Sequence, residues 1–284
     1  MDISVIIPTY NRDFLLKKTI ASLLVVDYPA SQFEVLIMDN ASTDSTREIV
    51  EGIVCSNQRY HFKHIYVPEP GLLSGRHRGA KEAKSDLLVF IDDDIEVNKG
   101  WLLAIFETFK NSKVCIVGGR SLPYYELEQP PWLNLFWTYK GEIKMCAALS
   151  LIDFGEKCMN IDPRFIWGLN FAIRKQTLFD LGGFHPDCLP KHLQRYQGDG
   201  ETGLSFKAKQ RGIVSAYQPK AVVHHHIPRQ RLTLEYFQGR FFYQGVCMGR
   251  AHEYRKIDLF WIFPGHSDFM PRKMYSDIFF FQVH

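Results

Sequence analysis

Four short apolar runs set the frame for this chain. Ile3–Ile7, Val35–Met38, Ile65–Val67 and Leu87–Ile91 are rich in β-branched residues and short enough to be buried strands. Stretches of helical character separate them. Behind Asn11, which reads as a helix cap, Phe14, Leu15, Thr19, Ile20, Leu23 and Leu24 recur at helical spacing. Asp44 reads as the cap of a second helix that carries Ile49, Val50 and Ile53, and the Gly- and Arg-rich segment Gly71–Lys84 turns into a third. Strand alternating with helix predicts an α/β protein built on a doubly wound, mostly parallel sheet. A further strand is expected at Val114–Gly118, after which the pattern becomes irregular, with turn signals at Pro123-Tyr124-Tyr125 and Pro130-Pro131-Trp132. Short strands are expected at Phe171–Arg174, Val214–Tyr217 and Ala221–Val223, the last leading into His224-His225-His226. A helix at Gly203–Gln210 is stopped by Gly212.

Composition narrows the class. Of 284 residues, 46% are hydrophobic and 23% charged, which excludes disordered, collagen-like and low-complexity chains. A net charge of +3 is too weak to imply nucleic-acid binding, so no nucleic-acid partner is expected. Six cysteines form no C-x-x-C pair, and Cys115, inside the apolar run Val114–Val117, reads as a buried thiol. Isolated cysteines, no signal-peptide pattern at Met1-Asp2-Ile3-Ser4-Val5 and no apolar run of membrane-spanning length point to a cytoplasmic location, with contact at a membrane surface as an addition.

In open α/β sheets ligands bind beyond the carboxyl ends of the strands, and acidic residues stand at two of these ends, Asp39 and the run Asp92-Asp93-Asp94. Three adjacent carboxylates repel one another unless a cation neutralises them. A divalent ion with a taste for oxygen, Mg²⁺ or Mn²⁺, is the economical answer; a solvated acidic turn is the plainer one. Alternation along an extended backbone puts Asp92 and Asp94 on one side, so one could hold a ribose or base edge while the other binds metal. The first strand is followed by no G-x-G-x-x-G, and no Walker lysine motif occurs, which argues against dinucleotide and P-loop sites.

Taken in order, Ser4-Val5-Ile6-Ile7-Pro8-Thr9-Tyr10-Asn11-Arg12, Asp39-Asn40-Ala41-Ser42-Thr43-Asp44 and Phe90-Ile91-Asp92-Asp93-Asp94 resemble the family 2 glycosyltransferases of GT-A fold, over about residues 1 to 250. The resemblance implies a GT-A, Rossmann-like sheet with a variable acceptor-side second half, a nucleotide diphosphate sugar donor, usually a UDP-sugar, and inversion at the anomeric carbon. It implies that Pro8, Thr9, Tyr10, Asn11 and Arg12 line the nucleotide pocket, with Asp39 at the base, Asp92 at the ribose, Asn40 and Asp93 among the nucleotide-sugar contacts, and Asp94 on the metal. Arg76, in Ser74-Gly75-Arg76-His77-Arg78-Gly79, stands where such enzymes carry an Ala-Arg-Asn-Arg-Gly segment, and its fork suits phosphate oxygens. His77 replaces the usual Asn.

For the second half, Trp167-Gly168-Leu169-Asn170-Phe171-Ala172-Ile173-Arg174 resembles the strand that lines the donor sugar, which implicates Asn170. Gly198-Asp199-Gly200-Glu201-Thr202-Gly203-Leu204 stands in the place of a Gly-Glu-Asp-x-Asp-Leu segment. The departure leaves the general base between Glu201 and Asp199; one carboxylate must take the proton of the attacking hydroxyl. Similar enzymes often supply a late histidine to the metal or diphosphate. Alternation makes His224 and His226 face together, so these two are the expected partners of Asp94. Leu232 to Arg255 alternates aromatic and basic residues, readable as a helix packing its aromatics or as a surface for lipid or a lipid-linked acceptor.

One domain is therefore expected at 1–255, with a nucleotide-sugar-binding half at 1–120, an acceptor half at 121–255 and an extension at 256–284. A glycan or lipid-linked acceptor and a homodimer complete the expected partners. The rival readings are a non-catalytic nucleotide-sugar or glycan binder and a sugar nucleotidyltransferase.

Overall fold

The structure is a computed structural model. It describes residues 1–69, 71–185 and 200–255, the last ten of these as backbone only. The first half runs β1 (Ile3–Thr9), α1 (Asp13–Leu23), β2 (Phe33–Asp39), α2 (Thr46–Ser56), β3 (His61–Tyr66), α3 (Leu72–Glu82), β4 (Leu87–Phe90), β5 (Ile95–Val97), α4 (Trp101–Phe109) and β6 (Ile116–Tyr125). The second half runs β7 (Thr138–Lys140), β8 (Ile143–Cys146), β9 (Leu151–Asp153), β10 (Met159–Asn160), β11 (Phe171–Arg174), α5 (Lys175–Asp180), α6 (Gly200–Gln210), β12 (Ser215–Ile227) and α7 (Leu234–Arg255). Among the described residues no helix is long and apolar enough to cross a membrane.

The central sheet has the order β3-β2-β1-β4-β11-β6 and continues through β9, β8 and β7. Pairing is parallel from β3 to β4, and β11 enters antiparallel between β4 and β6. Every residue of β1 and β2 is buried, because helices cover both faces. Strand alternation sorts the side chains between two cores. Ile3, Val5, Ile7, Val35, Ile37 and Val89 pack with α1, α2 and α4, whereas Ile6, Leu36, Met38, Leu88 and Phe90 pack with α3, α5 and α6. The doubly wound α/β architecture expected from the sequence is the one observed.

Close approach of α3 explains the glycines of its sequence. A Cβ on Gly79 would lie 2.5 Å from a methyl of Ile6, and one on Gly75 would lie 2.9 Å from Asn40 Oδ1. The bare helix face lets α3 sit low over β1 and β2, which carries Arg76 into the interior. Asn11 does not cap α1. Its Oδ1 accepts the Thr43 N–H at 2.7 Å, while Asp44 accepts from the Asp13 N–H at 3.2 Å and the Thr46 N–H at 3.1 Å, so one carboxylate serves the starts of both α1 and α2.

Several elements depart from expectation. β3 begins at His61 rather than Ile65; it is an edge strand that buries only Phe62 and Ile65, one toward each core, so its apolar signal is short. The two strands expected after residue 213 are one strand, β12, with a register shift between Gln218 and Val223 against β6. Gly119 on β6 makes room for that irregularity, since a side chain there would run into the Ala221 backbone. Cys115 is half-buried rather than buried. The aromatic stripe of α7 packs inward: Phe237 is buried, and Phe136 stacks on Phe241 at 5.7 Å between ring centres. Phe242 is exposed.

Candidate active site

The carboxyl ends of β1, β2 and β4 lie side by side, with Thr9 opposite Asp39 in register. Beyond them the chain makes two left-handed turns, at Asn11 (φ 51°) and Ala41 (φ 60°). The Asn11 N–H donates to Ser42 Oγ at 3.0 Å and ties one turn to the other. Asp39 is buried; its Oδ1 accepts the Ser42 N–H at 2.9 Å and its Oδ2 lies 3.1 Å from His64 Nε2. The Asn40 amide donates to the Glu69 carbonyl at 2.7 Å. Pro8 is buried in β1, and Tyr10 stands out at the rim with 58% exposure.

The acidic run follows β4, and each carboxylate meets a cation, with Arg12 shared between Asp93 and Asp94. Asp92 Oδ1 takes Arg76 Nη2 at 2.6 Å. Asp93 takes the Thr9 hydroxyl at 2.8 Å and Arg12 Nη1 at 3.1 Å, and its carbonyl accepts from Thr19 Oγ1 at 2.8 Å. Asp94 Oδ2 takes Arg12 at 2.9 Å and Arg231 at 2.9 Å. Burial pushes the Asp93 carboxyl up to about 7, against the pull of Arg12. For Asp94 burial works the same way but is overcome by the guanidiniums of Arg231 and Arg12, which hold it well below the usual carboxylate range. The solvated acidic turn is thus not what the run forms: Asp93 and Asp94 are interior groups. Asp94 Oδ1 is buried and has no hydrogen-bond partner among the described residues.

β12 pairs antiparallel with β5 and parallel with the far half of β6, which brings its histidines beside this carboxylate. Alternation holds along the strand, and His224 and His226 share a face, but that face looks toward Glu96, where His226 Nε2 lies 2.5 Å from Glu96 Oε1. The histidine at Asp94 is His225, with Nε2 3.5 Å from Asp94 Oδ2. This corrects the expectation for His224 and His226, and the register His225↔Ile95 is the cause. His225 Nδ1 lies 2.9 Å from the Leu149 carbonyl, which only accepts, so Nδ1 carries the proton and Nε2 presents a lone pair.

On the other side of the run, Arg76 is fully buried, and its guanidinium joins Asp92 to Glu201. Glu201 Oε2 accepts the Gly168 N–H at 2.7 Å. A side chain at Gly168 would run into both the Arg76 guanidinium and the Glu201 carboxylate. Arg76 therefore does not point its fork at phosphate, as the sequence suggests. Both of its amino groups are committed to carboxylates whose side chains stay about a quarter open, 28% for Asp92 and 26% for Glu201.

Asn170 is likewise an internal tie. Its Oδ1 accepts from Trp101 Nε1 at 3.0 Å, and its amide donates to the carbonyls of Ala221 at 2.9 Å and Arg120 at 3.2 Å, bracing the β12 irregularity. Asp199 lies outside the described residues. His225 and Arg231 are the groups that sequence reasoning missed; Arg231 follows the histidines in Pro228-Arg229-Gln230-Arg231, a segment without a recognisable spacing.

Divalent-metal chemistry is implied by the fold family, and the residues fit it. The unpartnered Asp94 Oδ1 and the His225 Nε2 lone pair are an oxygen and a nitrogen donor of the kind Mn²⁺ and Mg²⁺ accept. Among the described residues no group of three or more His, Cys, Asp or Glu side chains converges as an all-protein cage. A site of one or two protein ligands is the arrangement in which substrate phosphates supply the rest.

Comparison with known proteins gives the fold and the family. A mannosyltransferase from Pyrobaculum calidifontis, PcManGT in complex with GDP-Man and Mn²⁺, superposes with a TM-score of 0.60 at 18% identity, covering 88% of this chain and 64% of that one. S. aureus TarS 1–349 in complex with UDP-GlcNAc superposes at 0.59 with 20% identity, covering 80% and 59%. The architecture is that of the GT-A fold transferases. The Glycosyl transferase family 2 model matches residues 4–176, and the chain belongs to that family. The validoxylamine A glucosyltransferase of Streptomyces hygroscopicus subsp. limoneus is 37% identical over 202 residues, 65% of this chain and 44% of that protein. The succinoglycan biosynthesis protein ExoM of Rhizobium meliloti (strain 1021) is 26% identical over 254 residues, 85% of this chain and 72% of ExoM. The chain thus spans less than half the length of its Streptomyces relative.

Proposed function

We propose that this protein is an inverting glycosyltransferase that moves a sugar from a nucleotide diphosphate sugar, a UDP-sugar, to a hydroxyl of a glycan or lipid-linked acceptor. The observation that carries this reading is the Asp92–Arg76–Glu201 bridge, which fixes a carboxylate of the second half beside the acidic end of β4. Known neighbours of the same fold bind UDP-GlcNAc or GDP-Man, which supports a nucleotide sugar as donor.

In this reading Thr9, Tyr10, Asp39 and Asn40 receive the nucleoside, and Asp92 receives the ribose. Asp94 and His225 hold Mn²⁺ or Mg²⁺, which when bound offsets negative charge on the departing diphosphate. Arg12, 41% exposed and already neutralising Asp93 and Asp94, adds positive charge at the same edge. Glu201 takes the proton of the acceptor hydroxyl as its oxygen bonds to the anomeric carbon from the face opposite the breaking carbon–phosphate-oxygen bond. Arg76 and the Gly168 N–H hold Glu201 in place for that transfer. Asp199 remains the second candidate for the base.

The direct test is a nucleoside diphosphate release assay with UDP- and GDP-sugars, Mn²⁺ and a panel of glycan acceptors. Acceptor-stimulated release of UDP is expected. Binding of nucleotide sugars without release under any acceptor would favour the non-catalytic reading.

A further inference from the structure

Arg231 occupies an unusual place for a side chain outside every recognisable motif. It stands on the one-turn segment Arg229–Arg231 that links β12 to α7, with its side chain 17% exposed. Its Nη1 donates to His225 Nε2 at 2.6 Å, and its Nη2 donates to Asp94 Oδ2 at 2.9 Å. These are the nitrogen and the carboxylate that the preceding reading gives to the metal.

We propose that Arg231 is the resident cation of the Asp94–His225 pair, that a divalent ion displaces it, and that the freed guanidinium then binds the donor's diphosphate. This rests on the glycosyltransferase reading and extends it, because it makes metal loading depend on the nucleotide.

Three observations lead there. His225 is locked by its Nδ1 bond to the Leu149 carbonyl, so it has one lone pair to offer, and Arg231 holds it. A guanidinium and a metal ion cannot share that nitrogen, both being electron-pair acceptors at one position. Asp94 is interior and ion-paired with both Arg12 and Arg231, and a buried carboxylate that loses a cation is costly, so Arg231 joins Arg12 in stabilising it until another cation arrives. Finally, Arg231 rides on a single turn after Pro228 rather than within the sheet, and its departure breaks no strand pairing. Once released at the edge of the cleft it needs an anion, and a planar fork fits two phosphate oxygens.

The test is Mn²⁺ binding followed by electron paramagnetic resonance, on the full chain as wild type, Arg231→Met and Arg231→Lys, with thermal melting to show that each variant is folded. Without nucleotide, Arg231→Met is expected to take up Mn²⁺ about tenfold more tightly, the effect of removing a competitor that holds the site about nine-tenths of the time. Arg231→Lys keeps the charge but loses the fork and is expected to fall between. UDP or GDP is expected to tighten Mn²⁺ binding more in the wild type than in Arg231→Met. Equal or weaker Mn²⁺ uptake by both variants, with wild-type binding intact, overturns the exchange and leaves the glycosyltransferase reading standing. No saturable Mn²⁺ binding by any of the three proteins, with or without nucleotide, overturns the metal assignment and this inference with it.

Discussion

Arg76 on α3 and Glu201 on α6 stand 125 residues apart in the chain and form an ion pair buried on the arginine side, with Asp92 on the other amino group of the same guanidinium. The pair joins the two halves of the fold at the place where donor and acceptor would meet. Arg76 has no exposed surface to speak of, so its charge is stabilised by these two carboxylates alone among the described residues. Arg76→Met strands two carboxylates that still reach water, so it should cost about 1–3 kcal/mol of stability, the usual penalty for removing one partner of a hydrogen-bonded group. Urea unfolding measures it, and a loss below about 1 kcal/mol would mean that the bridge contributes little to the fold.

Gly168→Ala tests the other side of the Glu201 clamp. The added methyl would meet both the Arg76 guanidinium and the Glu201 carboxylate. If Glu201 is the base proposed above, displacing its carboxylate by a fraction of its length is expected to lower kcat about 10²-fold, with KM for the donor little changed. Steady-state kinetics with the donor identified by the release assay would show the split.

Glu201→Gln keeps the shape of the side chain and removes its basicity. Donor binding by calorimetry should stay within about twofold of wild type, while sugar transfer should fall by about 10²–10⁴-fold. Full transfer activity would move the base to Asp199 or elsewhere.

Acid stability has a local contributor far from the cleft. Burial works to raise the Asp162 carboxyl, but hydrogen bonds from Arg164 and Lys209 bring it down to about 2. A carboxyl lowered on folding stabilises the native state above its unfolded value, and that contribution disappears as pH falls through its folded value. Asp162→Asn should therefore lower stability at pH 7 by about 1 kcal/mol, a figure discounted for solvent screening of a partly exposed group. The difference should vanish between about pH 4 and pH 2, which thermal melting across that range would follow.

Much of this was legible in the residues, for identifiable reasons. β1, β2 and β4 are buried on both faces and read as continuous apolar runs, so both the sheet and the strand ends that carry Asp39 and Asp92–Asp94 could be placed. β5 is three residues long and owes its strand character to pairing with β12, which no local pattern encodes. The same pairing decides which histidine meets Asp94: alternation separates His225 from His224 and His226, but only the register tells which face looks at the carboxylate. Asn170 sits in a recognisable segment, yet its amide braces Trp101 and the β12 irregularity, a role set by three residues remote in sequence. His77, in place of the usual Asn, packs edge-on to Phe179, with ring centres 5.9 Å apart, and touches the space above Gly183. Arg231 carried no signal at all, because a single arginine after a turn has no period or spacing to betray it.

In the proposed function, metal and diphosphate meet at Asp94, just beyond β4. Isothermal titration of UDP, and separately GDP, into wild-type protein and Asp94→Asn, each with and without Mn²⁺, tests it most directly. Mn²⁺ is expected to strengthen binding of one nucleotide to the wild type at least about tenfold, and that gain is expected to vanish in Asp94→Asn. Nucleotide binding that ignores Mn²⁺ in the wild type, or a metal effect that survives in Asp94→Asn, would contradict it.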